Sequence, residues 1–144
     1  MRLPSLIRLV LLIVIGAVPL AGQVQAQRSH VEAFLEQWDT DHDGTLSLFE
    51  IQKAAIARFE ELDRKHKGRL SRSQLAGVLT FQQFRQSDKD RNRKLDKNEF
   101  QSAVEKLFQA ADKDHDGTLD KTKLGSPTGR ALLKIFAVRQ GPLM

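Results

Sequence analysis

Asp39-Thr40-Asp41-His42-Asp43-Gly44-Thr45-Leu46-Ser47-Leu48-Phe49-Glu50 sets acidic residues at the first, third, fifth and twelfth places, Gly at the sixth and Leu at the eighth. A tightly wound loop turns alternate side chains inward, so carboxylates at alternate places converge on one point. Such a convergence of like charge demands a cation. A hard one fits best: Ca²⁺ takes about six to eight oxygen ligands at roughly 2.3–2.6 Å. Gly44 permits the left-handed backbone that lets the loop wrap round. The plainer alternative is an acidic surface turn that caps the next helix.

Outward from this stretch the pattern recurs. Loop-like segments begin at Asp39, Asp63, Asp88 and Asp112, at intervals of 24, 25 and 24 residues. Leu46, Leu70, Leu95 and Leu119 hold the eighth place, and Ile51, Leu75, Phe100 and Leu124 follow the twelfth. Leu35, Phe59, Phe84 and Phe108 each stand four residues before a loop. Apolar residues at matching places of a repeat predict one shared core.

The first segment resembles the loop of the EF-hand family at every diagnostic place, and the repeat extends the resemblance over roughly Val31 to Leu124. The resemblance implies an all-α fold of four helix-loop-helix units in a compact bundle, with loops 39–50, 63–74, 88–99 and 112–123. It also implies the ligands. In the first loop these are Asp39, Asp41, Asp43, the Thr45 carbonyl and a bidentate Glu50, with Ser47 acting through water. In the third they are Asp88, Asp90, Asn92, the Lys94 carbonyl and Glu99, with Asp96 helping through water. Arg93 stands where the other loops have Gly, and a non-Gly residue in the left-handed region costs about 1–2 kcal/mol.

The remaining loops depart from the pattern. The second has Lys65 and Lys67 at ligand places and Gln74 at the twelfth. Ammonium groups there repel a divalent cation, so this loop is expected to be metal-free. The fourth offers Asp112, Asp114, Asp116 and the Thr118 carbonyl, but Lys123 replaces the clamp. Its residues are the weaker candidates.

Spacing bears on architecture. Ile51 to Leu62 contains no Gly or Pro and reads as one continuous helix shared by the first two loops. Phe100 to Ala111 reads the same way. Leu75 to Ser87 contains Gly77 and Thr80, which could break it. If all three connections are helical, the first loop meets the third and the second meets the fourth. Sequential pairing with bent helices is the alternative. Val31, Phe34, Leu35 and Trp38 share one face of a first helix.

The chain has 144 residues and a formal charge of +5. Arg2 and Arg8 bracket a basic start, and Leu9 to Leu20 is an uncharged apolar run too short for the ~20 residues of a spanning helix. Val24-Gln25-Ala26 offers small residues to a signal peptidase, so residues 1–26 are expected to be a cleaved signal peptide and the product periplasmic or secreted. An uncleaved anchor is the alternative. No Cys follows Leu20-Ala21-Gly22, which disfavours a lipid anchor, and the chain has no Cys at all. Disulfides therefore cannot staple the exported domain, and bound metal is an alternative source of rigidity.

Residues 125–144 leave the repeat. Gly125 breaks the fourth exit helix, Ser126 caps the next and Pro127 opens it. Ala131, Leu132, Ile135, Phe136 and Val138 then form an apolar face, with Arg130, Lys134 and Arg139 opposite. This segment reads as a lid on the core, or else as a basic amphipathic helix for a membrane surface or partner. Arg64, Lys65, Lys67, Arg69 and Arg72 gather around the second loop, either as solvated charge or as a contact to an anionic envelope surface or acidic partner.

Nucleic acid is disfavoured, because no stacking aromatics accompany the charge. His42 and His115 hold outward-facing fourth places, and zinc would need converging nitrogen or sulfur ligands. No nucleophile motif or phosphate-cradling loop is present, so no enzyme is expected. The functional expectation is calcium binding, for buffering or structure or as a trigger for partner recognition. The alternative is envelope-surface adhesion, or a scaffold with mainly structural repeats.

Overall fold

The computed structural model describes residues 30–137. The proposed signal peptide and the end of the tail, Val138 and Arg139 included, lie outside the described residues. Among the described residues six helices and four short strands follow in the order α1 His30–Trp38, β1 Leu46–Ser47, α2 Leu48–Leu62, β2 Arg69–Ser71, α3 Phe81–Ser87, β3 Lys94–Asp96, α4 Lys97–Ala111, β4 Thr118–Leu119, α5 Lys121–Gly125 and α6 Pro127–Phe136. None of these helices is long and apolar enough to cross a membrane.

The long helices begin inside the loops. Ser47 caps α2 and accepts a hydrogen bond from the Glu50 N–H, while the Glu50 carboxylate accepts one from the Ser47 N–H. Asp96 and Glu99 make the same reciprocal pair at the start of α4. Two helix-end donors are thus satisfied by one residue pair. The twelfth place of the loop is the third residue of its helix.

Both 15-residue helices, α2 and α4, are uninterrupted, each about 22 Å long at 1.5 Å per residue. The loops at their two ends are therefore well apart. The pairing differs from both expectations. Strand β1 of the first loop pairs antiparallel with β4 of the fourth, Leu46 opposite Leu119. Strand β2 of the second pairs with β3 of the third, Leu70 opposite Leu95.

The cause is the middle connection. After Ser71 the chain turns instead of forming a helix, and Gly77 takes a φ of +83°. Thr80 then caps the seven-residue α3. The reversal brings the third loop back beside the second, at the same end of the bundle. With α4 intact, the fourth loop must go to the other end, where the first lies.

The core runs between the two loop pairs. All four eighth-place leucines have no exposure, and the residues following the twelfth places are buried with them. Phe59, Phe84 and Phe108 lie in the same cluster. Helix α4 packs against α2, α3 and α6. Helix α6 closes the core with Leu132 and Ile135, both fully buried. A β-carbon at Gly129 would stand 2.2 Å from the Lys123 carbonyl oxygen, so only Gly lets α6 sit this close to α5.

One cation is no part of the solvated surface. Arg58 on α2 is buried, and its guanidinium donates to the carbonyls of Ile135 (2.9 Å) and Ala137 (3.1 Å). It closes the C-terminus of α6, where unpaired carbonyls carry partial negative charge.

Candidate metal centre

In the first loop Asp39, Asp41 and Asp43 each offer a carboxylate oxygen within 4.8 Å of the others. The loop's own amides hold them there. Asp39 is buried and accepts from Gly44 N–H (2.9 Å) and Asp43 N–H (3.2 Å). Asp43 accepts from Thr45 N–H and from its hydroxyl, both at 2.8 Å. His42 (φ +60°) and Gly44 (φ +81°) take the left-handed turns that wrap the loop.

Glu50 is buried but stands outside the aspartate trio. One oxygen accepts from Thr40 N–H (2.7 Å) and hydroxyl (3.0 Å), the other from Ser47 N–H and hydroxyl, both at 2.9 Å. Burial alone would push this carboxyl up, but these four donors outweigh it and hold it below the usual glutamate range. Glu50 is thus a fixed anion. Asp41 goes the other way: loss of solvent raises its carboxyl first, the Asp43 amide opposes, and the charges of Asp43 and Glu50 raise it further. A carboxylate so placed is stabilised by any cation that enters the loop.

The third loop gathers Asp88, Asp90 and Glu99 within the same 4.8 Å. Glu99 accepts from Lys89 N–H (2.8 Å) and Asp96 N–H (3.0 Å). Asp90 accepts from Asn92, whose own side-chain oxygen accepts from Lys94 N–H at 2.8 Å. Asp96, expected to help through water, uses an oxygen to cap α4. The Oδ2 of Asp88 accepts from Arg93 N–H (3.0 Å), whereas its Oδ1 is buried and has no hydrogen-bond partner. Leaving a buried charged acceptor unpaired costs more than the roughly 1–3 kcal/mol of a neutral one. A cation in the loop would supply the missing partner.

Arg93 adopts the expected left-handed backbone, φ +63°. Arg93→Gly should relieve about 1–2 kcal/mol of strain, less about 0.4–1 kcal/mol for the freer unfolded chain. A small rise in the melting temperature of the chelator-treated protein is the expected result. A fall would show that the arginine is better accommodated than its φ implies.

In the second loop Asp63 accepts from Lys67 and Gly68 N–H, and Gln74 donates to the Leu62 carbonyl. No group of three metal-ligating side chains forms there among the described residues. In the fourth loop Asp112, Asp114 and Asp116 do converge, but the Lys123 ammonium lies among them. It bridges Asp112 at 2.9 Å, Asp116 at 2.7 Å and Asp114, and donates to the Thr118 carbonyl at 3.0 Å. The Lys123 hydrogen bond is the main reason the Asp116 carboxyl falls to about 2, and it lowers Asp112 as well.

A family model described as EF hand matches residues 31–55 and 103–122. The matches support an EF-hand family. They fall on α1 through the first half of α2 and on the later part of α4 with most of the fourth loop, so the two matched segments are the ones joined by β1 and β4. A search of curated proteins gives no match.

The sequence alone did not reveal two features of these loops. The fourth place is left-handed in all four, at His42, His66, Arg91 and His115; three of these are His, a residue enriched in that backbone region. The partnerless Asp88 oxygen depends on packing and has no sequence signal.

Proposed function

We propose that the chain is an exported calcium-binding protein of four EF-hand-like repeats, with ions in the first and third loops. The observation that carries this reading is the buried, partnerless Oδ1 of Asp88, a residue that clusters with Asp90 and Glu99. Asp39, Asp41, Asp43, the Thr45 carbonyl and Glu50 would hold the first ion. Asp88, Asp90, Asn92, the Lys94 carbonyl and Glu99 would hold the second. All are hard oxygen donors, which favours Ca²⁺ over softer metals.

Each strand-paired end then has one ion loop and one loop that lacks the acidic clamp. Calcium sites outside the cytosol often bind at only ~10⁻⁴–10⁻³ M, and buffering or structural support suits such sites. Calcium-triggered partner recognition is the competing role. The proposal includes no catalytic activity.

Titration with calcium, followed by calorimetry and Trp38 fluorescence, tests it. Trp38 ends α1 beside Asp39, and its ring lies 6.5 Å from that of Phe34. Two binding events are expected, the first-loop event changing the fluorescence. A large shift in apolar exposure on calcium addition would favour the trigger. No binding up to several millimolar would sink the calcium reading.

A second reading has its own observation. A cleft of about 1180 Å³ beside the second loop is lined by Arg64, Lys65, Lys67, Arg69 and Lys94, among others. A basic cleft of this kind suits an anionic envelope surface. Salt-sensitive, calcium-independent binding to anionic vesicles would favour it.

A further inference from the structure

We propose that the fourth loop is an ammonium site filled by the chain's own Lys123, which keeps the loop in its cation-bound shape without metal. The oxygens around Lys123 Nζ come from Asp112, Asp114, Asp116 and the Thr118 carbonyl. These are the first, third, fifth and seventh places of the loop, the set that an ion would draw on in the first loop. An ammonium group has three donors and no acceptor, so four acceptors in contact share them fully. The side chain is only 14 % exposed, and it leaves the third residue of α5. Glu50 and Glu99 occupy the corresponding residue of α2 and α4. One substitution thus replaces an anion that clamps a cation with a cation that stands in for it.

The surrounding contacts fix the stem. Lys123 N–H donates to Asp120 at 2.7 Å, which sets the first turn of α5. Gly117 N–H donates to Asp112 at 2.9 Å, as Gly44 N–H does to Asp39 in the first loop. Opposite, β4 pairs with β1 through Leu119 and Leu46. A fourth loop held by its own ammonium gives the first loop a fixed partner strand before any metal arrives. The first loop then fills as a single preorganised site. This last consequence rests on the calcium reading of that loop; the ammonium site itself does not.

The test compares the full chain with Lys123→Met and Lys123→Glu, reading the Gly117 and Gly44 amides by NMR and bound calcium by calorimetry. In chelator, the wild-type Gly117 amide should be protected from hydrogen exchange, and calcium should leave it unmoved. Lys123→Met should speed its exchange by about tenfold or more, because the aspartates then repel one another and the loop opens locally. Lys123→Glu completes the ligand set, so it should bind one calcium more than wild type, and it carries the test if the Met variant does not fold.

Unchanged Gly117 protection in chelator-treated Lys123→Met would overturn the proposal. So would a Glu variant that binds no additional calcium, or a wild-type Gly117 amide that shifts with calcium as Gly44 does. A Gly44 amide that ignores calcium would instead sink the first-loop calcium site and leave the Gly117 result intact.

Discussion

Glu99→Gln should abolish calcium binding at the third loop while sparing the first, and Glu50→Gln should do the reverse. Each change keeps the shape of the side chain but removes a full negative charge and one of two equivalent oxygens. Ligand charge count is a main determinant of affinity in such loops, and a loss of at least ~100-fold, close to 3 kcal/mol, is expected. The two variants should differ in detail. Glu99 already lies with Asp88 and Asp90, whereas Glu50 stands apart from its trio, held by Thr40 and Ser47. Binding at the first loop should therefore disturb the Thr40 amide, and that disturbance should vanish in Glu50→Gln. The glutamine amide would also place donors against donors at Ser47 or Thr40, so melting in chelator must be measured beside each titration. Two variants that bind as wild type would refute the ligand assignment.

The parts of this fold that were legible in the sequence are those that repeat. Leu46, Leu70, Leu95 and Leu119 recur at one place because each loop must put an apolar residue on the short strand pair, and all four are fully buried. Helices α2 and α4 were legible for a local reason: strong helix formers with no breaker.

Which loops meet was not legible, because pairing depends on how many connections reverse the chain. A single turn at Gly77 changes the answer from first-with-third to first-with-fourth. The sequence shows that Gly77 can turn, not that it does. Lys123 is a similar case. Its place marks a lost clamp and an added charge, but only the run of its stem puts the ammonium among three aspartates. Arg58 reads as one more surface cation until α6 lays its last carbonyls beside it.

The same coupling of loops to core sets the second large effect. Phe100 follows Glu99 on α4, has no exposure, and its ring lies 5.8 Å from that of Phe59 at 59°. Phe100→Ala should cost about 3–5 kcal/mol, from lost transfer energy and the cavity left behind. That is a large share of the ~5–15 kcal/mol that holds a typical domain together. In chelator the variant should melt roughly 9–25 °C lower, at about 3–5 °C per kcal/mol for a chain between the small-domain and 150-residue classes. Phe49→Ala, at a ring 64 % exposed, serves as the control and should change little. Calcium should then separate packing from ligation. An ion that binds only the folded chain returns about 2.7 kcal/mol at a hundred times its Kd. Saturating calcium should therefore recover much of what Phe100→Ala loses, but less when Glu99→Gln is added, because only the first loop can then contribute. Equal recovery with and without Glu99 would mean that the third loop adds no calcium-dependent stability, however well its carboxylates are placed.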